Sequence, residues 1–253
     1  MHADVIDGLK KLKNHSVDLV IADPPYNIIV NAKTNLIKNH NIPGMGGQWN
    51  IFDEKWDKKD FSDYFNFTFN YMVELKRVLK KTGSIWIFGT YHNMGIVNIC
   101  LRLLEIEILN EIVWYKKNAF PNLANRRVTA SHENIIWAHT GNPKNRKYLF
   151  NADYAKSIDN EFDDLKVPGK QLRTVWSMSN NKSKYESDSG SYPAQKPLKI
   201  LRQIIKLTTN SGDTVLSVFS GSGSDAAAAI ETDRNSISID NSKKGINLAS
   251  KRL

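Results

Sequence analysis

Short apolar runs, each long enough for one buried strand, recur along this chain, and the segments between them carry apolar residues every third or fourth position. The runs are "VDLVIAD" (17–23), "SIWIFGT" (84–90), "EILNEIVWYKK" (107–117), "DTVLSVF" (213–219) and "SISID" (236–240). Helical spacing marks "DVIDGLKKL" (4–12), residues 60–81, "MGIVNICLRLL" (94–104), "PLKILRQIIKLTT" (197–209) and "DAAAAIET" (225–232). Parallel neighbours need a crossover long enough to hold a helix, so this alternation predicts an α/β fold with a mostly parallel sheet and helices on both faces. In 60–81 the stripe Phe61, Phe65, Phe69, Met72, Leu75, Leu79 ends on "KKTG", basic residues and a glycine, which predicts a helix running to 81.

Two strand ends carry the chemistry. The first run stops on "ADPPYN": a carboxylate, two residues without a backbone N–H, then a tyrosine. Ordinary turn chemistry would favour Gly, Asn or Ser there, so Asp23 and Tyr26 either cap a turn or face a ligand. The second is "VLSVFSGSGSDAAAAI", a strand, a glycine turn and an alanine-rich helix. Gly221 and Gly223 let backbone approach a ligand at a helix N-terminus, and Asp240, 19 residues after Gly221, can take ribose hydroxyls. This pattern suits any adenosine-containing cofactor, a nicotinamide dinucleotide included, or a plain tight turn. A P-loop is not supported, since GxxxxGK[ST] is missing. Ligands of open α/β sheets sit beyond the carboxyl ends of the strands, so both half-sites face one crevice. A donor at the glycine turn and an acceptor at Asp23–Tyr26 would make a group-transfer enzyme.

Charge bears on the acceptor. The formal net charge is +9, which favours polyanions as well as solubility. Residues 116–148 hold seven Lys or Arg (Lys116, Lys117, Arg126, Arg127, Lys144, Arg146, Lys147) against one acid, Glu133. Interleaved aromatic and Asn residues in "FPNLANRR" suit phosphate contacts and groove reading better than a merely solvated face. The single cysteine, Cys100, lies in an apolar helical stretch and reads as a buried structural thiol. No Cys-built metal site can form, and no metal constellation is visible. No apolar run approaches a membrane span and the N-terminus lacks a secretory pattern, which points to the cytoplasm.

"ADPPYN" followed much later by "FSGSG" resembles the amino-group DNA methyltransferases that use S-adenosylmethionine, in the order where the catalytic motif precedes the cofactor loop. The likeness spans nearly the whole chain, through "KTGSIWIFGTYHN", "NEIVWYKKNAFPNLANRRVTASHENIIWA", "RTVWSMS", "YPAQKP" and "KRL". It is nearest to small bacterial adenine-N6 enzymes that read palindromes of the GATC or GANTC type. The resemblance implies a Rossmann-like methyltransferase sheet in one domain over 1–253, with a mobile loop at 27–56 and a basic target-recognition region inserted at about 116–192. It implies S-adenosylmethionine as cofactor and a flipped-out adenine as acceptor. Asp23, Pro24, Pro25 and Tyr26 would form the base site: Asp23 and the Pro24 carbonyl accept the N6 hydrogens, and Tyr26 stacks. Ala22, Asp23, Ser217, Phe219, Ser220, Gly221, Ser222, Gly223, Ser224 and Asp240 would border the cofactor. Asp4 would take its adenine amine, or simply cap the first helix, and Gln195 and Lys196 match the family's TQKP segment beside it. Lys116, Lys117, Asn122, Arg126 and Arg127 would contact double-stranded DNA. Family members often form homodimers, and a cognate restriction endonuclease often reads the same site.

The chain departs from the family pattern at Ser217, where a carboxylate that normally contacts the cofactor is usual, and at Ser224-Asp225, where Thr-Thr is usual. It also departs at Ser238, Gly245 and Ala194. These changes bear on cofactor affinity and leave the base site intact. Competing expectations are a DNA-binding subunit or relic without cofactor use, a cytosine-N4 methyltransferase, whose group usually has Ser in place of Asp23, and a nicotinamide oxidoreductase.

Overall fold

A computed structural model describes residues 1–28, 59–119, 121–122, 126–141, 144, 146–157, 162–163, 167, 169–180, 186, 192 and 195–253. Positions 29–56 of the expected loop lie outside the described residues.

The chain opens with helix α1 (Val5–Lys10), whose N-terminus Asp4 caps by accepting from Ile6 N at 2.9 Å, and strand β1 (Val17–Ala22), almost entirely buried. Helix α2 (Phe61–Val78) turns Tyr64, Thr68, Tyr71, Met72, Leu75 and Val78 into the core and passes without a loop into β2 (Leu79–Gly89). The helix therefore stops three residues before the expected 81. Leu79 pairs in register with Val17 of β1, and Lys80 Nζ lies 2.8 Å from Asp18 on that strand, so sheet pairing overrides the helical stripe. Gly83, expected as a helix terminator, sits inside β2 where a Cβ would come within 2.6 Å of the Asp18 carbonyl.

Helix α3 (Met94–Leu103), β3 (Glu107–Tyr115), β4 (His132–His139), α4 (Ala152–Ser157) and β5 (Val175–Ser177) follow, then α5 (Leu198–Thr208), β6 (Thr214–Val218), α6 (Ser224–Glu231), β7 (Asn235–Ile239) and α7 (Lys243–Arg252). The sheet order is β5-β3-β4-β2-β1-β6-β7. Only β4 runs antiparallel to its neighbours; the remaining pairings are parallel. The mostly parallel α/β expectation holds, and β4 and β5, both from within 116–192, pair into the main sheet.

Two apolar clusters cover the two faces of the sheet. One joins α1, α2 and α3 to Val20, Ile85, Ile87 and Leu216, and the other joins α5 and α6 to Leu19, Ile21, Trp86 and Val215. Ala226 to Ala229 are buried in α6, small side chains that let the helix lie close. Cys100 is buried in α3, and burial pushes its thiol up to about 11, so it stays protonated and packs as an apolar group. Among the described residues no helix is long and apolar enough to cross a membrane.

Candidate active site

Parallel pairing decides where the two strand ends lie. Strands β1 and β6 are neighbours in register, Ala22 opposite Val218, so Asp23 and Phe219 leave the sheet side by side. The dipeptide Gln195-Lys196 then ties the corners together. Gln195 Oε1 accepts from Ser222 Oγ of the glycine turn at 3.2 Å, and Lys196 Nζ donates to Asp23 Oδ2 at 2.6 Å. Both half-sites therefore border one crevice.

On the acidic side, the Tyr26 hydroxyl donates to Asp23 Oδ1 at 2.7 Å and lies 3.2 Å from Glu133 Oε2. The buried Tyr64 of α2 donates its hydroxyl to the Pro25 carbonyl at 2.6 Å, which anchors the Pro-Pro turn from below. The Pro rings fix φ, so the turn is held by covalent restraint as well as by this bond. Lys196 is also 3.6 Å from Glu133, and its ammonium stands 5.4 Å from the Tyr26 ring centre and 5.2 Å from that of Phe88.

Glu133 is the residue that the sequence reading did not place here. Because β4 runs against its neighbours, its first residues lie level with the last residues of β2 and β3: Glu133 pairs with Trp114, and Asn134 with Gly89. Lys116 forms an ion pair with Glu133 and lies over the Trp114 ring, with 18 % of its side chain exposed. In this structure the Lys116 ammonium, expected as a phosphate contact, is turned towards the site by the half-buried Glu133 carboxylate.

The protonation states follow from these contacts. Burial raises the Asp23 carboxyl above the ordinary value, Glu133 adds to the rise, and Lys196 and Tyr26 oppose it; neighbours enclose the group although 21 % of its side chain stays exposed. Burial disfavours charge on Glu133 too, but Lys196 and Lys116 outweigh it and its carboxyl titrates low. Burial and the two carboxylates push the Tyr26 phenol well above its usual range, so it remains a donor. For Lys196 the attraction of Asp23 and Glu133 exceeds the cost of burial, and the ammonium persists.

On the glycine side, Phe219 (φ 63°), Gly221 (φ 48°) and Gly223 (φ 75°) are left-handed. That is costly for Phe219, whose ring packs against Tyr71 and Phe67 of α2 at 5.3 and 5.9 Å and holds the bend. Asp240 accepts from Gly221 N and Ser242 N, both at 2.7 Å, so its carboxylate shapes the turn with lone pairs to spare for a sugar. The turn also presses on α7, where a Cβ on Gly245 would stand 2.8 Å from the Gly221 carbonyl. Arg252 donates to Ser224 Oγ at 2.6 Å and to the Glu186 carbonyl at 2.9 Å, two further supports that the sequence reading passed over. Ser220 Oγ is buried with no partner among the described residues, an orphaned hydroxyl that a polar ligand would satisfy. Asp4 is near this end of the sheet, since Ala3 N donates to the Asp240 carbonyl at 2.9 Å, and its side chain acts as the α1 cap. The residues fit an adenosine-type cofactor: acid below the glycine turn, an unpaired hydroxyl within it, and left-handed backbone that brings main chain close.

The basic segment divides. Lys117, Arg126 and Arg127 are exposed, and Asn122 is half-buried. Arg127 donates to the hydroxyl of Tyr91, which follows β2 and is itself exposed. Arg146 instead pairs with Glu107 at the start of β3, the end of that strand away from Lys116 and Lys117. Lys116 and Arg146 thus sit at opposite ends of β3, paired with Glu133 and Glu107, so the basic segment does not act as one face.

Comparison with known proteins agrees with this arrangement. A family model described as DNA methylase, of the N6/N4 type, matches residues 17–251. The Type II methyltransferase M.HinfI of Haemophilus influenzae is 34% identical over 258 residues, covering 100% of this chain and 67% of that protein. The Type II methyltransferase M2.DpnII of Streptococcus pneumoniae is 36% identical over 255 residues, covering 100% and 88%. Among solved structures, an M1.HpyAVI–SAM complex superposes with a TM-score of 0.64 at 23% identity, over 100% of this chain and 97% of that one. The cytosine-N4-specific PvuII DNA methyltransferase gives 0.72 at 16% identity, over 99% and 84%.

Proposed function

Since the chain belongs to the N6/N4 family of DNA methylases and is a site-specific DNA methyltransferase that uses S-adenosylmethionine, we propose that it methylates the N6 amine of an adenine held at Asp23–Tyr26. When bound, S-adenosylmethionine supplies an electrophilic methyl group on sulfur. The remaining work falls to the protein. An exocyclic amine is a poor nucleophile because its lone pair is delocalised into the ring. Asp23 accepting one N–H and the Pro24 carbonyl the other would favour pyramidal nitrogen and concentrate that lone pair. Each Asp23 oxygen keeps capacity beyond the bonds from Tyr26 and Lys196. The Pro25 carbonyl is already taken by Tyr64, which leaves the acceptor role to Pro24. The Tyr26 ring offers a stacking face for a base that must leave the duplex to react. Ala22, Ser217 and Phe219 to Ser224 would line the cofactor, with Asp240 at the ribose and Asp4 at its adenine.

Lys117, Asn122, Arg126 and Arg127, beside the exposed Tyr91, are the proposed DNA contacts, with 116–192 as target-recognition region of a single methyltransferase domain. A homodimer and a cognate restriction endonuclease belong to the same proposal. The observation that carries it is the Gln195-Lys196 bridge, which holds the acidic turn and the glycine turn at one crevice.

Expression in a methylation-free host, followed by mass spectrometry of nucleosides and sequencing of modified bases, tests the reading. N6-methyladenine at one short motif is expected, abolished by Asp23→Ala. N4-methylcytosine would assign the other branch of the family, and unmodified DNA together with no heat on titrating S-adenosylmethionine would favour the relic.

A further inference from the structure

Two departures from the family pattern turn out to be one interaction. The resemblance implies a carboxylate at the end of β6 and a threonine in the first turn of α6, whereas this chain carries Ser217 and Asp225 there. In the folded chain the Ser217 hydroxyl donates to Asp225 Oδ2 at 2.6 Å. Both residues are buried, 1 % and 8 % exposed. Resting on the methyltransferase reading, we propose that Asp225 holds the α-ammonium of S-adenosylmethionine, in place of the carboxylate missing from position 217, and that Ser217 orients it.

The charge balance of the crevice supports this. Lys196 is shared between Asp23 and Glu133, and Lys116 is paired with Glu133. Asp225 feels both Asp23 and Lys196, so three carboxylates face two ammonium groups among the described residues. One negative charge is left over. Burial pushes the Asp225 carboxyl up to about 6, so its charged form is held at a cost. A cationic ligand removes that penalty. An ammonium brings three N–H donors to a carboxylate, whereas the sulfonium brings none, so the amino group is the partner that hydrogen-bond chemistry selects. The orphaned Ser220 hydroxyl in the adjacent turn marks the same space as one that a polar ligand completes.

The test is calorimetric titration of the wild type, Asp225→Thr, Ser217→Asp and the double exchange Ser217→Asp/Asp225→Thr with three ligands: S-adenosylmethionine, S-adenosylhomocysteine and 5′-methylthioadenosine, which lacks the amino-acid portion. Asp225→Thr should weaken the first two by about ten- to a hundredfold, the span of one charge-assisted hydrogen bond, and leave methylthioadenosine unchanged. The double exchange, with the carboxylate back on the strand, should restore them. Equal loss for all three ligands would show that Asp225 only shapes the turn, and no loss for any would show that it touches no cofactor; either overturns the proposal. If Asp225→Thr does not fold, the double exchange decides, because a variant that binds methylthioadenosine but not the other two would place the ammonium elsewhere. A wild type that binds none of the three refutes the methyltransferase reading itself.

Discussion

Replacing Asp225 by asparagine should stabilise the ligand-free protein at neutral pH, and the size of the gain can be worked out. The asparagine keeps the shape and can still accept from Ser217, but it never charges. In the folded chain burial is the largest influence on Asp225 and pushes its carboxyl from 3.8 up to about 6. A carboxyl whose folded value lies above its unfolded one favours folding while protonated. That contribution is complete below 3.8 and is lost as pH rises through about 6. A difference of about two pH units corresponds to roughly 3 kcal/mol at 1.36 kcal/mol per unit. Wild type and Asp225→Asn should therefore have equal stability near pH 3.8, diverge across the window, and differ by about 3 kcal/mol from pH 7 upward, the asparagine variant being the more stable. For a chain of this length that is about 6–12 °C in melting temperature. Glu133 and Glu107 titrate in both proteins, so the difference between the two curves reports position 225 together with its coupling to Asp23 and Lys196. Urea unfolding at several pH values from 4 to 8, without cofactor, reads it directly. A constant offset between the curves, or an asparagine variant less stable at pH 7, would refute the reasoning. The cofactor affinity of that variant should fall at the same time, stability being gained where function is lost.

Two further outcomes probe the acceptor side. Tyr26→Phe keeps the ring but removes the donor shared by Asp23 and Glu133, so kcat at saturating DNA and cofactor should drop by about ten- to a hundredfold, the worth of a hydrogen bond to a charged group. Its acid limb should move to higher pH, because the phenol helps to hold the Asp23 proton off, and an unchanged kcat–pH profile would remove Tyr26 from the base site. The double change Arg126→Ala/Arg127→Ala should lower the slope of log affinity against log salt by about 1.8 if each side chain neutralises one phosphate, measured by fluorescence anisotropy on duplex DNA; equal slopes would take both off the DNA.

Why some of this was legible in the sequence and some was not comes down to the range of the forces involved. Asp23 to Tyr26 could be read because a strand boundary is local: an apolar run ends, and a carboxylate stands at its carboxyl end. Glu133 uses the mirror image of that grammar, an acid just before the apolar run "NIIWA", and it reaches the same edge only because β4 runs backwards. Strand direction is decided by pairing with β2 and β3, which no local pattern records. The same tertiary pairing cut α2 short, since Leu79 to Lys81 satisfy a helical stripe equally well until Val17 and Asp18 claim them for the sheet. Composition does not show that Lys116, a basic residue in a basic segment, pairs with the half-buried acid Glu133. Asp225 and Ser217 were each visible as departures, but only the 2.6 Å bond between them makes one the answer to the other.

Electrostatics also separates this site from others that share its backbone. A glycine turn with a downstream acid serves dinucleotides as readily as S-adenosylmethionine, and the turn alone does not choose. A pyrophosphate needs free backbone N–H groups and a positive field. Here Gly221 N is already given to Asp240, and beyond the turn stand Asp225 and Asp23. Lys196, whose charge bears on both, is committed to Asp23 and Glu133. A doubly negative group would meet uncompensated carboxylates at interior dielectric, where like charges a few ångströms apart repel by several kcal/mol. A cofactor that carries a sulfonium and an ammonium meets attraction at the same points. The reaction then gains from its own product: as the N–C bond forms and the S–C bond breaks, the positive charge passes from sulfur to the amine nitrogen and leaves as its proton is released to solvent, so the neutral spent cofactor should bind more weakly than the fresh one by the share of the attraction which the sulfonium supplied.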